Sequence, residues 1–508
     1  MFEQLGREML FTDVQKVTSE NLIDIMRSVM PIHESNSTRM NFLIEYEAGK
    51  QEQFRVKKYR SDINNWCVDN VANEVTDFKT GYGWGNPITL VMRKNSDEID
   101  KDISLAVTQL NEGFDEQDVR SKSQKLARFV EITGIGYSFI DINTEWMQEG
   151  DSYFTYDVLD PRCTFIVYSG YYLDQRPMLA VTYFCDKAGS KKFTCFTKDS
   201  RYELNSSYEI IYDEWNPLGV IPITEWIRSH DRMGCFERQI PEMNNLNLLV
   251  SDFTNDVDQN TQAIWHCNDV DFPTEIIVLD DGTEKEVVKK PKTNDWMQTF
   301  TTKDGKTPFV NALAVNYDYQ GMLSNIITRR ALILQKCNVP SRNDNSGGST
   351  GIAMDSATGW TQAEVEATRQ DQLKDSSKMN EVKIALIAIK KNTNLPSDSP
   401  LRKLKHSDVK PKIARQKNYE LSVKTTAFAT MVSHGVFGLH ALKMANLFDD
   451  TMQVWEDSKE LIEMYQKSLF KVDEQSQTEE STNTDGGIEA QIGNSPLIDG
   501  MSKETPIK

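Results

Sequence analysis

MLSNIITRRALILQKC from Met322 to Cys337, SRNDNSGGSTGIAMDSATGW from Ser341 to Trp360, and TQAEVEATRQDQLKDSSKMNEVKIALIAIKK from Thr361 to Lys391 decide the fold when read together. The first piece has helical apolar spacing and is stopped by Val339-Pro340. The third predicts a helix of about 31 residues, ~45 Å long at about 1.5 Å per residue. Thr361 and Glu364 have the spacing of a capping box that would fix its start. In the loop between them, Gly347, Gly348 and Gly351 permit backbone states closed to other residues, and Ser346, Ser349 and Thr350 are short and polar. Ile352 and Met354 are its only large aliphatic side chains. Two helices joined by an adaptable loop suit a mechanical part better than a catalytic pocket, and a plain surface linker is the competing reading.

Working outward toward the N-terminus, Cys235–Trp265 predicts another helix, with Met243, Leu246, Val250, Phe253 and Val257 forming a seam against a helical partner. Its opposite face carries Asn244, Asn245, Asn247, Asp252, Asn255, Asp256, Asp258 and Asn260, and no Lys or Arg occurs between Arg238 and Lys285. Between the two helices lies a small β insertion. Ile276–Leu279 and Val287–Val288 flank a turn at Asp281-Gly282, Lys289 and Lys290 open a basic KKPK, and Pro308–Val310 with Leu313–Val315 offers another strand. Helix, β module and helix form one excursion, a stalk with a cap.

Upstream, helices are expected at Ser19–Val29, closed by Pro31, and at Ser37–Ala48. Ile63, Trp66, Val71 and Val75 recur at helical intervals before Gly81, Gly83 and Gly85 break the pattern. A strand at Ile88–Met92, helices at Asp100–Leu110 and Gln117–Ile132, and a strand at Tyr137–Ile142 follow. From Tyr153 to Trp226 short β-branched and aromatic runs predict strands pairing antiparallel with their neighbours. Downstream, LPSDSPLRKL reads as a linker and Asn418–Phe470 as a small helical domain. Lys471–Lys508, without an aromatic residue, is expected to be disordered. The fold class is α+β.

The chain has 508 residues, room for several cores, and 57 basic against 76 acidic residues give a net charge of −19. That balance is unlike a nucleic-acid binder of the usual basic kind. No apolar run is long enough to span a membrane, and the first residues do not read as a signal peptide. Seven scattered cysteines, never spaced C-x-x-C, fit reduced thiols in a cytoplasm. No P-loop is present, since Gly305-Lys306-Thr307 has Phe300 where the first glycine belongs, and the Gly347–Gly351 loop has no following lysine. The six histidines are dispersed, so no metal site is expected. Asp269 and Asp271 could serve a two-metal nuclease, but they sit in the stretch without Lys or Arg that such an enzyme would need to hold phosphate. No active site and no cofactor are expected.

In this order the chain resembles the portal proteins of tailed bacteriophages, in the branch found in siphophages of Gram-positive hosts. The carriers are KYRSDINNWCVDNVANEVTDFKTGYGWGNPI, TGIGYSFIDIN, NPLGVIPITEW, NNLNLLVSDFTNDVDQ and GGSTGIAMDSATGW, and the likeness spans roughly 20–470. It implies a wing at 1–234, stem helices at 235–265 and 319–340, and a β clip at 266–318. A tunnel loop at 341–360, a long wing helix at 361–395, a helical crown at 396–470 and a tail at 471–508 complete it. It also implies a ring of twelve copies at one capsid vertex, with double-stranded DNA packaged and ejected along its axis without sequence-specific binding. Partners implied are the terminase large subunit, which supplies the ATP hydrolysis, a head-completion or adaptor protein, and capsid and scaffolding proteins. No membrane is involved; the place is the virion vertex, after assembly in the host cytoplasm. Asp252, Asp256 and Asp258 become candidates for an acidic channel wall, and Asp281, Gly282, Lys289 and Lys290 for partner docking on the clip. Arg329, Arg330, Lys336 and Arg342 leave open which charges face the lumen. The alternatives are a packaging-associated nuclease or ATPase, or another ring-forming head-tail structural protein.

Overall fold

The structure, a computed structural model, describes residues 6–51, 64–93, 101–144, 151–186, 189–261, 264–268, 274–278, 283–288, 309–313, 318–340, 359–415, 421–445, 454–455, 458–462 and 464. The chain divides into two compact units, Met1–Gln416 and Lys417–Lys508.

The first unit is built on two sheets. Strands β1 (Leu10–Thr12), β5 (Thr164–Ser169), β6 (Pro177–Cys185), β7 (Lys191–Phe196), β8 (Ser200–Leu204) and β9 (Ile210–Trp215) lie in that order. β5 to β9 pair antiparallel with their sequence neighbours, as the strand pattern predicts, but β1 comes in parallel to β5, with Leu10 opposite Val167. The second sheet sets β10 (Ile223–Ile227) and β4 (Phe154–Leu159) on either side of β3 (Ile135–Ile142). One face of helix α1 (Leu22–Glu47), with Leu22, Met26, Val29 and Met30, packs against Phe165, Val167, Leu179 and Phe193 of the first sheet.

Helix α1 runs straight through Pro31, where two helices were expected. Proline removes one backbone donor and crowds the carbonyl four residues back. Here Pro31 and Arg27 both face solvent, where water can satisfy that carbonyl, while Met26, Met30, His33 and Met40 bury both halves. Helix α2 (Val71–Trp84) likewise contains Gly81 and Gly83 and ends at Gly85. At Gly83 a Cβ would come within 3.1 Å of the Lys374 ammonium, so the glycine reports close packing rather than a break.

His33 is buried against Phe165, with ring centroids 4.3 Å apart, and burial pushes it down to about 4. Below pH 6.5 the unfolded chain protonates this ring while the folded chain does not. Stability from His33 is therefore complete above pH 6.5 and lost as pH falls through 4, by up to about 3 kcal/mol. Urea midpoints followed from pH 7 to 4 are expected to fall less steeply for His33→Gln than for the parent; parallel curves would refute this.

Helices α3 (Lys101–Glu116) and α4 (Val119–Thr133) join the second sheet and the long helix α7 (Trp360–Lys391) in the largest core, around Leu110, Phe114, Leu126, Trp226, Val382 and Ile389. After α7, Pro396, Asp398 and Leu401 border a cleft of about 470 Å³ with α3. Strand β15 (Val409–Lys412) then pairs with β2 (Thr89–Met92). The stretch from 396 to 415, expected as the start of a helical piece, thus belongs to the first unit.

Helix α5 (Ile240–Thr261) ends earlier than expected, because Trp265 lies in β11 (Ile264–Asn268), paired with β14 (Phe309–Leu313). A second ladder joins β12 (Thr274–Val278) to β13 (Glu284–Val288), and α6 (Tyr319–Lys336) follows. The unit from 417 onward contains α8 (Leu421–Ser433) and α9 (Gly438–Ala445), with Trp455 against Phe437 at 4.9 Å between ring centroids.

Candidate functional site

The segments that flank 341–358 are both fixed to α2, and the fixing groups are charged. At the end of α6, Asn338 takes a left-handed conformation, φ 54°, and its carbonyl accepts from the Lys79 ammonium at 3.2 Å. Its side-chain amide donates to Glu366 on α7 at 3.0 Å. Glu366 also pairs with Lys79 and with Arg228, and Arg228 donates to Glu131 of α4 at 2.9 Å. Trp84 closes the chain with an indole N–H to Glu131 at 3.3 Å. Two cations and two carboxylates thus alternate in a mostly buried row, and each charge is kept inside by its neighbours. Burial opposes ionisation of Glu366, yet Arg228 and Lys79 outweigh it and hold its pKa below the ordinary value.

On the other side of the segment, Gly359 at φ 90° is the residue before α7, and no side-chain cap is formed there. The expected capping box of Thr361 and Glu364 is absent because the helix starts one residue earlier, at Trp360 with Gly359 in the cap position, which puts Thr361 inside the first turn; Glu364 instead accepts from the Tyr82 hydroxyl and pairs with Arg415. Trp360 meets Phe78 and Tyr82 edge-on, with centroids 5.9 and 5.5 Å away. A Cβ at Gly359 would lie 3.8 Å from the Pro340 Cα, so the two ends stand side by side. Lower on α7, Lys374 is buried over the Trp84 ring at 4.3 Å and donates to the Gly83 carbonyl at 2.8 Å. Burial pushes its pKa down to about 8. Glu381, fully buried, pairs with Lys378 at 2.9 Å and accepts from the Trp226 indole at 3.1 Å.

The α5–α6 pair has a different chemistry on each side. Met243 and Leu246 are buried with Ile333 and Cys337, and Val250 packs on the same cluster beside Ile326 and Leu334. Phe253 is half-buried and meets Tyr319 edge-on at 6.1 Å; Val257 is also half-buried. Leu246→Ala is expected to cost about 2–5 kcal/mol, read as a lower urea midpoint, and an unchanged midpoint would refute it. Phe253, only half-buried, is expected to cost less than Leu246.

The polar side of α5 is partly buried. Asn247, Ser251 and Asn255 are buried beneath the extended residues 64–69. The Asp69 N–H donates to the Asn247 Oδ1 at 2.8 Å, the Cys67 N–H to the Ser251 Oγ at 3.0 Å, and the Asn65 N–H to the Asn255 Oδ1 at 2.6 Å. Four residues of helix advance about 6 Å and two of extended chain about 6.6 Å, so alternate backbone groups meet successive turns. Asp258 accepts from the Asn65 amide, and Asp252 and Asp256 are half-buried. On α6, Arg330 pairs with Asp69 at 3.0 Å and with Glu74, and Lys336 with Glu242 at 3.5 Å. Ser346, Gly347, Gly348, Ser349, Thr350, Gly351, Ile352 and Met354, together with Asp281, Gly282, Lys289, Lys290 and Arg342, lie outside the described residues.

One family of known proteins matches most of this chain. The sequence model of phage portal protein, SPP1 Gp6-like, fits residues 28–467. The chain belongs to that family. No curated protein matches it. A phage portal protein forms a ring at a capsid vertex for DNA packaging, and the family is structural rather than enzymatic. Among the described residues of this portal subunit no helix is long and apolar enough to cross a membrane, and no group of His, Cys, Asp and Glu is arranged to hold a metal.

The charged row at the portal subunit's loop ends was missed in the sequence because its members are 28 to 287 residues apart. Glu131 within LARFVEIT was the one available signal, a carboxylate among residues that must be buried.

Proposed function

We propose that twelve copies make the ring and that its axis carries double-stranded DNA inward during packaging and outward during ejection. In this reading α5 and α6 are the stem, β11 to β14 the clip, residues 341–360 the tunnel loop, and the part of the second unit up to residue 470 the crown. The clip, including Asp281, Gly282, Lys289 and Lys290, docks the terminase large subunit and afterwards the head-completion adaptor. Capsid and scaffolding proteins take the ring into the shell after assembly in the host cytoplasm. The observation that carries the mechanical part is the clamp at the loop's ends. Lys79, Glu366, Arg228 and Glu131 hold Asn338 and the first turns of α7 to α2 and α4, so a loop between such ends changes shape while its supports stay fixed.

The net charge of −19 supports passage without grip, because each cationic contact to phosphate adds affinity through counterion release. Asp252, Asp256 and Asp258 on α5 are the candidates for the channel wall, Asp258 while accepting from the Asn65 amide, and Arg330 and Lys336 have carboxylate partners. The test is native mass spectrometry of the purified assembly followed by packaging with terminase. Twelve subunits, DNA protected from nuclease only when terminase and ATP are present, and no ATP hydrolysis or DNA cleavage by the ring alone are expected. Metal-dependent cleavage by the purified chain would favour the nuclease alternative and sink this one.

A further inference from the structure

The six-stranded sheet carries two exposed aromatic patches, one toward each edge. At the β1 side, the β5–β6 turn presents Tyr171, Tyr172 and Leu173 in succession, with Tyr172 86% and Leu173 80% exposed. The turn is ordered. The Gly170 N–H donates to the Thr12 carbonyl of β1 at 2.8 Å, and the Asp174 N–H to the Tyr171 carbonyl at 3.0 Å. At the other edge, β9 leaves Ile211, Tyr212 and Trp215 exposed, Trp215 by 67%. The Lys391 ammonium lies 5.7 Å from the Trp215 ring and is itself held by the Pro217 and Leu218 carbonyls. Both patches are therefore aromatic and pre-positioned, the composition of a binding hot spot. The outermost strands β1 and β9 stand about 24 Å apart, five strand spacings.

A ring of identical subunits closes through one head-to-tail contact, which requires two different surfaces on every copy. We infer that the β5–β6 turn of one copy docks on the β9 edge of the next, with Tyr172 and Leu173 against Ile211 and Trp215. Charge runs the same way. β9 carries exposed Asp213 and Glu214, and Arg176 at the base of the turn is in a loose, exposed pair with Asp174 at 3.5 Å that it can exchange for them. This rests on the ring assembly of the portal family and adds which faces meet.

The test uses the full chain with Cys185→Ser, which removes an exposed thiol. Tyr172→Cys and Trp215→Cys are combined in one chain, and rings are isolated and mildly oxidised. A ladder of covalent multimers on a denaturing gel is expected from the double variant, with each single variant running as monomer. Tyr172→Asp, in an exposed turn, is expected to melt like the parent but to need at least tenfold more protein to assemble. Full rings by native mass spectrometry, no ladder from the double variant, and normal assembly of Tyr172→Asp would together overturn the contact. Intact Tyr172→Asp rings that fail to enter capsids would overturn it too and give the turn to the capsid protein. A parent chain that forms no ring at all would overturn the ring reading, and this contact with it.

Discussion

Glu366→Leu is expected to lower the stability of the first unit by about 3–5 kcal/mol, the cost of breaking a buried ion pair by removing one partner. Glu366 is the one carboxylate shared by Lys79, Arg228 and the Asn338 amide. Without it Lys79, almost fully buried, keeps the Asn338 carbonyl and the face of the Phe78 ring but no carboxylate among its described partners, while Arg228 retains Glu131. The loss is electrostatic and not mainly one of packing, because leucine fills a similar volume. Two comparisons separate these causes. Lys79→Met combined with Glu366→Leu replaces the pair by apolar groups and is expected to recover part of the loss, since a well-packed apolar substitute for a buried pair is often neutral. Glu366→Gln keeps the hydrogen-bonding shape and is expected to fall between the parent and Glu366→Leu. Urea midpoints of the full chain read all three. A Glu366→Leu midpoint equal to the parent's would show that water, not the carboxylate, satisfies the two cations.

The parts of this fold legible in the sequence were those whose signal is local. Alternation in MLAVTYF and KKFTCFT locates β6 and β7 to within a residue or two, and the helical stripe that begins with Met243 and Leu246 locates α5. The signals that failed were local rules overruled by distant partners. Pro31 did not break α1 because its neighbours on the buried face hold the helix together, and Gly83 did not break α2 because Lys374, far along the chain, needs that space. The asparagines of α5 read only as a polar face lacking Lys and Arg. Asn247 and Asn255 are buried hydrogen-bond acceptors for a segment whose composition gave no sign of lying there. Strand β1, three residues long, has too little pattern to read and exists because β5 offers a free edge. The charged row around Glu366 could not be assembled from spacing at all, since its members come from α2, α4, α7 and the residues after β10 and α6.

Loss of DNA packaging with rings intact is the expected result for Gly347→Val with Gly348→Val, and it is the largest functional effect foreseen for this chain. Glycine populates backbone regions that a β-branched residue cannot enter without strain, and it leaves the chain free to pass between conformations. If residues 341–360 work as the tunnel loop, two adjacent valines stiffen the part that must yield as DNA moves past. The flanking clamp should not respond, because Asn338, Trp360 and Glu366 make their contacts outside the substituted pair. Assembly, read by native mass spectrometry, and the melting profile are therefore expected to match the parent, while nuclease-protected DNA in a terminase-driven reaction falls at least tenfold. Glu366→Leu supplies the contrasting case, since it loosens the loop's supports and leaves the glycines in place. A loop that acts only as a surface linker would tolerate both valines, and normal packaging by the stiffened ring would leave it no gating role.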